Sequence, residues 1–401
     1  MAEGERIQVI DVLRGFALFG VLLINMRNFD VLDQVWTGLD RLALWPVLIL
    51  GDSKFWTLFS FLFGLGFALQ MQRAERRGAH FLSLYARRLL ILLLFGVLHS
   101  VLLYSGDILY DYAIVGFVLL VFRNRSDRTI VILALLCWLI PMGRYAVKVR
   151  QNEIQRSDAQ AARLAAQRRT EDRREYERGE QVLTRGSFAD AAAYRARRFV
   201  PRRMGLENCS FQLGGVFPLF LLGLLVGRHR IFQNIGEYLP FIRKTFWWAL
   251  AFGLAATTIS VTGNWPDATL PYDTESPLWR GLLWYVGTPA LSYSYASILI
   301  LLAQKEHWQA RLAPLAAVGR MALSNYLLQS LVFSTIFQHY GFGMFGKIGP
   351  SLDVALTSLI YGLQLLVSVW WLRHFRFGPA EWLWKTLTYG CAQPMRVAAR
   401  A

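Results

Sequence analysis

The chain has 401 residues, of which 55% are apolar and 17% are charged, and its formal net charge is +16. Soluble domains hold about 25% charged residues, so this chain has too little charge for an ordinary water-facing surface. Apolar stretches of about 20 residues, the length that a helix needs to cross a bilayer, recur along the whole sequence. The composition therefore predicts a polytopic membrane protein and excludes an ordinary basic nucleic-acid binder.

The apolar windows predict an all-α fold, a membrane helix bundle with about ten transmembrane helices. A short piece at residues 41–51 is predicted to be re-entrant or interfacial. The predicted spans are 7–28, 53–72, 86–104, 108–122, 129–148, 211–227, 245–263, 280–303, 316–339 and 352–372.

Changes in composition divide the chain into four parts. The predicted units are an N-terminal transmembrane bundle over 1–148, a charged helical insertion over 149–208, a C-terminal transmembrane domain over 209–390 and a cytoplasmic tail over 391–401. At the end of the C-terminal domain, Gly378 and Pro379 precede a stretch in which tryptophan and leucine alternate with charged residues. That mixture predicts a helix in the inner membrane interface, acting as an anchor rather than as a site.

The distribution of Lys and Arg predicts the orientation, because cytoplasmic loops retain basic residues. If the N-terminus is cytoplasmic, the inner short loops hold 21 basic residues and the outer short loops hold five. Both termini are therefore expected in the cytoplasm.

The insertion differs in composition from the rest, because residues 144–208 hold 16 basic and nine acidic side chains. Ser157 and Ser187 are predicted helix starts, with Gly179 and Gly186 between them. On the span count the insertion lies outside, and it is either a solvated helical hairpin or a surface for anionic lipid head groups or acidic glycans.

Polar residues inside predicted spans indicate where a site lies, because each must find a partner or a water-filled cavity. In the first span, Asp11, Arg14 and Asn25 project from one face at 100° per residue. The stripe is either a structural ion pair with a helix contact at Asn25, or the lining of a cavity. A second pair, Asn325 and Gln329, is one helical turn apart and is explained equally well by contacts between helices or by a site.

His99 lies near the outer end of the third span, and Asp107 and Asp111 follow it. A histidine beside carboxylates is suited to general-base catalysis, because imidazole titrates near neutral pH and a carboxylate orients it. The alternatives are a packing role for His99 and capping roles for Asp107 and Asp111. The sequence contains no recognisable metal motif or phosphate-binding loop, so no metal and no permanently bound cofactor are expected.

Taken together, the motifs resemble the YeiB-like membrane proteins, which carry the C-terminal domain of unknown function 418. The first span is also similar to the transmembrane acyltransferase superfamily, including the lysosomal enzyme that acetylates heparan glucosamine. Two departures stand out: relatives that acylate polysaccharides have His where this chain has Asn25, and the lysosomal enzyme has His where this chain has Trp36. The stretches that carry the resemblance are 10–17 with Asn25, 54–66, 98–99, 106–109, 319–326 and 376–384.

The resemblance implies a bacterial inner-membrane protein that moves an acyl group from cytosolic acyl-CoA to an extracytoplasmic hydroxyl or amine. The acceptor would be a glycan, a lipid or a small molecule, no nucleic acid is expected, and a homodimer stays open. The alternative is a transporter or exporter without covalent chemistry. The expected catalytic residues are His99, Asn25, Asp107 and Asp111, and the expected substrate-binding residues are Asp11, Arg14, Arg87, Arg88, Asn325 and Gln329.

Overall fold

A computed structural model describes residues 7–29, 36–76, 81–262 and 277–397. Apart from one isolated β-bridge between Phe375 and Arg396, the regular structure of these residues is helical. The start of the predicted N-terminal domain and the end of the predicted tail lie outside the described residues. The helices are α1 Gln8–Met26, α2 Gly38–Pro46, α3 Lys54–Arg76, α4 Phe81–Leu102, α5 Leu109–Phe122, α6 Asp127–Ser157, α7 Ala159–Arg185, α8 Phe188–Met204, α9 Leu206–Ser210, α10 Phe217–Arg228, α11 Ile235–Thr262, α12 Leu278–Ala303, α13 Glu306–Arg320, α14 Ala322–Phe337, α15 Pro350–His374 and α16 Pro379–Tyr389.

Within the described residues, eight helical stretches are long and apolar enough to cross a membrane. Helices α5 and α14 are shorter apolar helices of 14 and 16 residues. The predicted all-α polytopic bundle is therefore confirmed, and the chain is a multi-pass membrane protein.

Helix α1 lies inside the bundle, where it packs against α3, α13, α14 and α15. Two glycines allow its closest contact: a Cβ added at Gly15 would lie 2.0 Å from the Leu315 carbonyl oxygen, and one at Gly319 would lie 1.9 Å from the Asp11 carbonyl oxygen. Small residues at a crossing let two membrane helices approach backbone to backbone, which supplies the van der Waals contact that drives their association.

The predicted ninth span, 316–339, is wrong as one helix, because the chain breaks at Met321 between α13 and α14. The break exposes backbone amides at the start of α14, which need acceptors inside the protein. Glu381 of α16 supplies them: its Oε1 accepts from the amides of Leu323 at 2.6 Å and Ser324 at 3.1 Å, and its Oε2 accepts from the Ser324 hydroxyl. The tail helix therefore caps α14, a role that the sequence did not predict, and its position in the membrane interface stays a prediction.

In the insertion, α7 and α8 form a helical hairpin. Ser187 caps α8 in a capping box with Asp190, so that predicted start is confirmed. The start predicted at Ser157 is wrong by one residue, because α6 continues through Ser157 and Asp158 accepts from the first amides of α7. Gly179 lies inside α7, where a Cβ would lie 2.5 Å from the Tyr194 hydroxyl of α8.

The hairpin does not stand free of the bundle. Arg195 of α8 is buried and donates to the carbonyl oxygens of Val101 at 2.8 Å and Leu102 at 2.7 Å, and to the Gln338 side chain at 3.0 Å. The two carbonyls belong to the last turn of α4 and have no partner within that helix. A guanidinium there also complements the negative end of the helix dipole, so Arg195 fastens the insertion to the C-terminal end of α4.

Replacing Gly319 with leucine is expected to separate α1 from α13, because the first added carbon already overlaps the Asp11 carbonyl. Overpacking of this kind costs about 1–3 kcal/mol or more, which a lower thermal unfolding midpoint of the purified protein would report. The control is Gly362→Ala in α15, where an added Cβ meets nothing within 4 Å. Equal unfolding midpoints for the two variants would contradict the proposed glycine contact.

Candidate functional site

His99 and Asp107 form a buried pair at the junction of α4 and α5. The distance between His99 Nδ1 and Asp107 Oδ1 is 2.8 Å, and the two residues are 3% and 2% exposed. A carboxylate on Nδ1 favours the tautomer whose proton is on that nitrogen, which leaves the Nε2 lone pair to accept a proton. His99 Nε2 is buried and has no hydrogen-bond partner among the described residues. The pair thus has the arrangement of an oriented general base.

The local sequence explains why Asp107 reaches His99. Gly96 lies one turn before His99, and a Cβ added there would lie 2.4 Å from the Tyr110 amide nitrogen, so its absence lets α5 start against α4. Asp107 Oδ2 accepts from that same amide at 2.8 Å. The carboxylate therefore caps the start of α5 and orients the imidazole, so the two roles predicted as alternatives coexist.

Two tyrosines that the sequence interpretation missed complete the surroundings of the pair. Tyr326 of α14 lies with its ring centroid 5.0 Å from that of His99, and its hydroxyl donates to Asp107 Oδ1 at 3.5 Å. The Tyr104 hydroxyl donates to Asn25 Oδ1 at 3.3 Å. With its oxygen held in this way, the Asn25 amide directs its nitrogen, a donor, away from Tyr104. Tyrosine is common in membrane proteins, so the sequence alone does not single out these two.

Asp111 does not orient His99 and instead forms a separate buried ion pair. Its Oδ2 accepts from Arg203 Nη1 at 2.7 Å, and its Oδ1 accepts from Asn208 at 3.0 Å and from Gln212 at 2.8 Å. Gln212 belongs to a π-helical segment, Phe211–Val216, that precedes α10. Three donors occupy both carboxylate oxygens, so the expected role of Asp111 as a partner of His99 is not what its geometry supports.

A single cavity of about 1170 Å³ runs along α1. Its lining includes Ile10 near one end of α1 and Asn25 near the other. These residues are separated by about 22 Å of helix rise, most of the roughly 30 Å core of a bilayer. Asp11 and Arg14 line the same cavity, and Arg14 donates to Asp11 Oδ1 at 3.3 Å. The polar stripe of α1 thus combines both predicted roles, since it holds an ion pair and lines a cavity.

The two ends of the cavity differ in charge. At the end where α3 finishes and α4 begins, the lining carries an excess of basic side chains; they are Arg14, Arg73, Arg88, Arg320, Arg376 and Lys385, against Asp11 and Glu381. Burial raises the pKa of Glu381, and the hydrogen bonds from Ser324 and the α14 amides oppose that rise. At the other end, basic and acidic side chains balance; they are Arg198, Arg202 and Arg203 against Asp107, Asp111 and Glu207.

Two nearby glycines in α3 differ in what a side chain would meet at their positions. A Cβ added at Gly66 would lie 3.1 Å from Arg14 Nη2, whereas one at Gly64 would meet the Phe220 backbone at 2.1 Å. Gly64 therefore allows close helix packing, whereas Gly66 leaves space in the cavity.

Three of the expected substrate-binding residues lie outside the cavity lining that the described residues form. Arg87 donates to the Thr388 carbonyl at 3.3 Å, whereas its neighbour Arg88 lines the cavity and stacks on Trp384, 3.7 Å from the ring centroid. Asn325 donates to Ser368 at 3.1 Å, and Gln329 donates to Gln364 at 2.8 Å. Both amides therefore join α14 to α15, the contact between helices that the sequence left as an alternative.

The helices and the cavity define a multi-pass membrane protein with a polar path along its central helix. Residues 226–391 match the family described as "Protein of unknown function (DUF418)". The chain is 34% identical over 412 residues to "Uncharacterized protein YxaH" of Bacillus subtilis (strain 168), covering 98% of this chain and 96% of the relative. It is 29% identical over 412 residues to "Uncharacterized protein YeiB" of Escherichia coli (strain K12), covering 97% and 98% respectively. The chain belongs to this YeiB-like family.

Gly96→Ala is expected to disrupt the His99–Asp107 pair without touching either residue, because the new methyl group must push the start of α5 away from α4. Overpacking of this kind costs about 1–3 kcal/mol, and it should lower the unfolding midpoint while increasing hydrogen exchange at the Tyr110 amide. Gly143→Ala in α6, where a Cβ meets nothing within 4 Å, is the control. Unchanged protection of the Tyr110 amide in Gly96→Ala would argue against the close contact of α4 with α5.

Proposed function

We propose that this protein is an integral-membrane acyltransferase that moves an acyl group from acyl-CoA to a hydroxyl or amine on the opposite side of the membrane. The observation that carries the proposal is one cavity with basic side chains at one end and the carboxylate of the His99–Asp107 pair at the other. A donor that binds by its phosphates at the basic end could extend its acyl group toward the pair.

The basic end of the cavity, where we propose that acyl-CoA binds, is suited to a polyanion. Six basic side chains and two acidic ones line it, and arginine binds phosphate through paired N–H donors in a fixed plane. Arg88 is held in the wall by its stacking on Trp384, whose indole donates to the Arg88 carbonyl at 2.9 Å. A guanidinium that is fixed in this way loses little side-chain freedom on binding phosphate, and acyl-CoA is our proposed co-substrate.

The chemistry requires a base, an oxyanion donor and a leaving group. The acceptor hydroxyl or amine would give its proton to His99 Nε2 while it attacks the thioester carbonyl. The Asn25 amide would donate to the oxyanion of the tetrahedral intermediate. As that intermediate collapses, the C–S bond breaks, the new ester or amide bond remains, and the proton passes from His99 to the CoA thiolate. Asp107 would stabilise the imidazolium that forms between these steps.

The catalytic step requires Tyr326 to move. Tyr326 lines the cavity and packs against the His99 ring, whereas His99 itself lies behind the lining. Tyr326 belongs to α14, whose start at Met321 is a break in the helix rather than a continuous turn. A small rotation of α14 about that break would expose Nε2 to the acceptor.

The orientation follows from the basic residues. With cytoplasmic termini, the basic end of the cavity faces the cytosol, where acyl-CoA is made, and the His99 end faces outward. In a bacterium this corresponds to the inner membrane, with an extracytoplasmic glycan, lipid or small molecule as the acceptor. Assembly as a homodimer is compatible with this arrangement.

A transporter is the second candidate, and the break between α13 and α14 favours it. Discontinuous helices often form the substrate sites of transporters, and Arg320 beside this break lines the cavity. A cavity along most of α1 would serve as the path of a transported molecule.

His99→Ala and Asn25→Ala are each expected to abolish acyl transfer while leaving acyl-CoA binding unchanged, because both residues lie at the end of the cavity opposite to Arg88 and the other side chains proposed to bind the phosphates. Loss of general-base catalysis lowers rates by about 10²–10⁴-fold. Transfer to a mixture of envelope acceptors would be measured with radiolabelled acetyl-CoA in proteoliposomes. His339→Ala removes an exposed histidine on the same side and is the control. Full turnover in both site variants would eliminate this mechanism, and solute uptake without CoA dependence would favour transport.

Arg88→Gln is expected to weaken acyl-CoA binding by roughly tenfold, which corresponds to one lost charge-assisted hydrogen bond. Arg87→Gln makes the same change in charge one residue away, outside the cavity lining, and should bind acyl-CoA like the unmodified protein. Titration calorimetry on the purified protein would compare them. Equal affinities of the two variants would contradict the proposed donor site.

A further inference from the structure

The insertion contributes a residue to the candidate site, which its charged and alanine-rich sequence does not suggest. Arg203, at the end of α8, is 6% exposed and makes three hydrogen bonds to the ends of α4 and α5. Its Nη1 donates to Asp111 Oδ2 at 2.7 Å. Its Nη2 donates to Ser100 Oγ at 2.8 Å and to the Asp107 carbonyl oxygen at 2.9 Å.

Two of these acceptors are directly connected to the His99–Asp107 pair. Ser100 follows His99 in α4, and the Asp107 carbonyl belongs to the residue whose carboxylate orients the imidazole. One planar guanidinium therefore holds the backbone of Asp107 and the residue next to His99 in a fixed relation. Lysine could replace the charge beside Asp111, but it lacks the rigid fork that reaches both acceptors.

We infer that Arg203 is a positioning residue for the His99–Asp107 pair and that the insertion is thereby part of the catalytic site; this inference rests on the proposed function. The Arg203 guanidinium comes from α8 of the insertion and not from one of the membrane-spanning helices. Its distance from the acyl-CoA end of the cavity predicts an effect on turnover rather than on donor affinity.

Attachment of α8 to the bundle does not by itself explain why Arg203 is buried beside the His99–Asp107 pair. Arg195 already fastens α8 to the carbonyls at the end of α4 without contacting the pair. A buried ion pair stabilises a protein little compared with apolar packing, because both charges lose water. The Arg203–Asp111 pair, with side chains 4% and 3% exposed, is therefore a costly anchor but an effective means of fixing geometry.

The surrounding residues hold Arg203 in place. Its guanidinium lies 5.1 Å from the Tyr110 ring centroid and 5.8 Å from that of Phe199. Asn208 joins the two partners, because its amide donates to Asp111 Oδ1 at 3.0 Å and to the Arg203 carbonyl at 3.1 Å. These contacts with Tyr110, Phe199 and Asn208 hold the Arg203 guanidinium in a single orientation.

The test compares Arg203→Lys with Arg197→Gln in the purified full-length protein. Arg197 is an exposed arginine on the same helix and serves as the control. The first measurement is the rate at which diethyl pyrocarbonate modifies His99, followed by mass spectrometry. We expect modification to be several-fold faster in Arg203→Lys, because the pair loses its alignment, and unchanged in Arg197→Gln.

The second measurement is acetyl transfer. Displacement of a catalytic group by about 1 Å can cost about 100-fold, so Arg203→Lys should lower kcat by about that factor and leave KM for acetyl-CoA unchanged. Arg203→Gln leaves Asp111 without its cation and is expected to lower the unfolding midpoint as well. Arg195→Gln should lower that midpoint while leaving the modification rate of His99 unchanged, which separates anchoring from positioning.

The two proposals fail in different ways. If the unmodified protein transfers no acyl group, the acyltransferase proposal fails, and the modification rate of His99 still tests the role of Arg203. If Arg203→Lys matches the unmodified protein in both modification rate and kcat, the positioning role is overturned even though acyl transfer stands.

Discussion

The bilayer imposes the constraint on which this structure depends: a polar group inside the apolar bundle is costly unless it has a partner within the protein or faces a cavity. His99 pairs with Asp107, Asp111 pairs with Arg203, and Gln329 pairs with Gln364. These pairs do not serve one purpose. The amides hold two helices together away from the cavity, whereas the charged pairs meet where α4, α5 and the insertion converge.

Helix ends are satisfied by side chains from segments that do not span the membrane. Arg195 of the insertion meets the carbonyls that end α4, and Glu381 of the tail helix meets the amides that begin α14. Each charge has the sign that complements the dipole at its helix end. The insertion and the tail, which look peripheral by composition, thus hold the two helices that carry His99 and Tyr326.

A contact between candidate residues could be predicted from the sequence when the two residues are close in the chain, and could not when they are far apart. Asp107 is eight residues from His99 and belongs to the adjoining turn, so proximity in the sequence predicted their contact. Asp111 lies one turn further along α5 and binds Arg203, 92 residues away, in a segment interpreted as a surface hairpin. Arg87 and Arg88 are adjacent in the sequence, and only the helix packing decides which of them lines the cavity.

The sequence alone determined the all-α membrane class, most of the apolar helices, the family resemblance and the polar face of α1, because each depends on composition, on motifs or on helical periodicity along a single segment. Only the tertiary structure decided that the ninth span is broken, that Tyr326 and Tyr104 surround the candidate site, and that the insertion supplies Arg203. These features depend on contacts between distant segments. The pattern within one helix identifies the face that needs a partner, but the partner is chosen by the packing of the whole bundle.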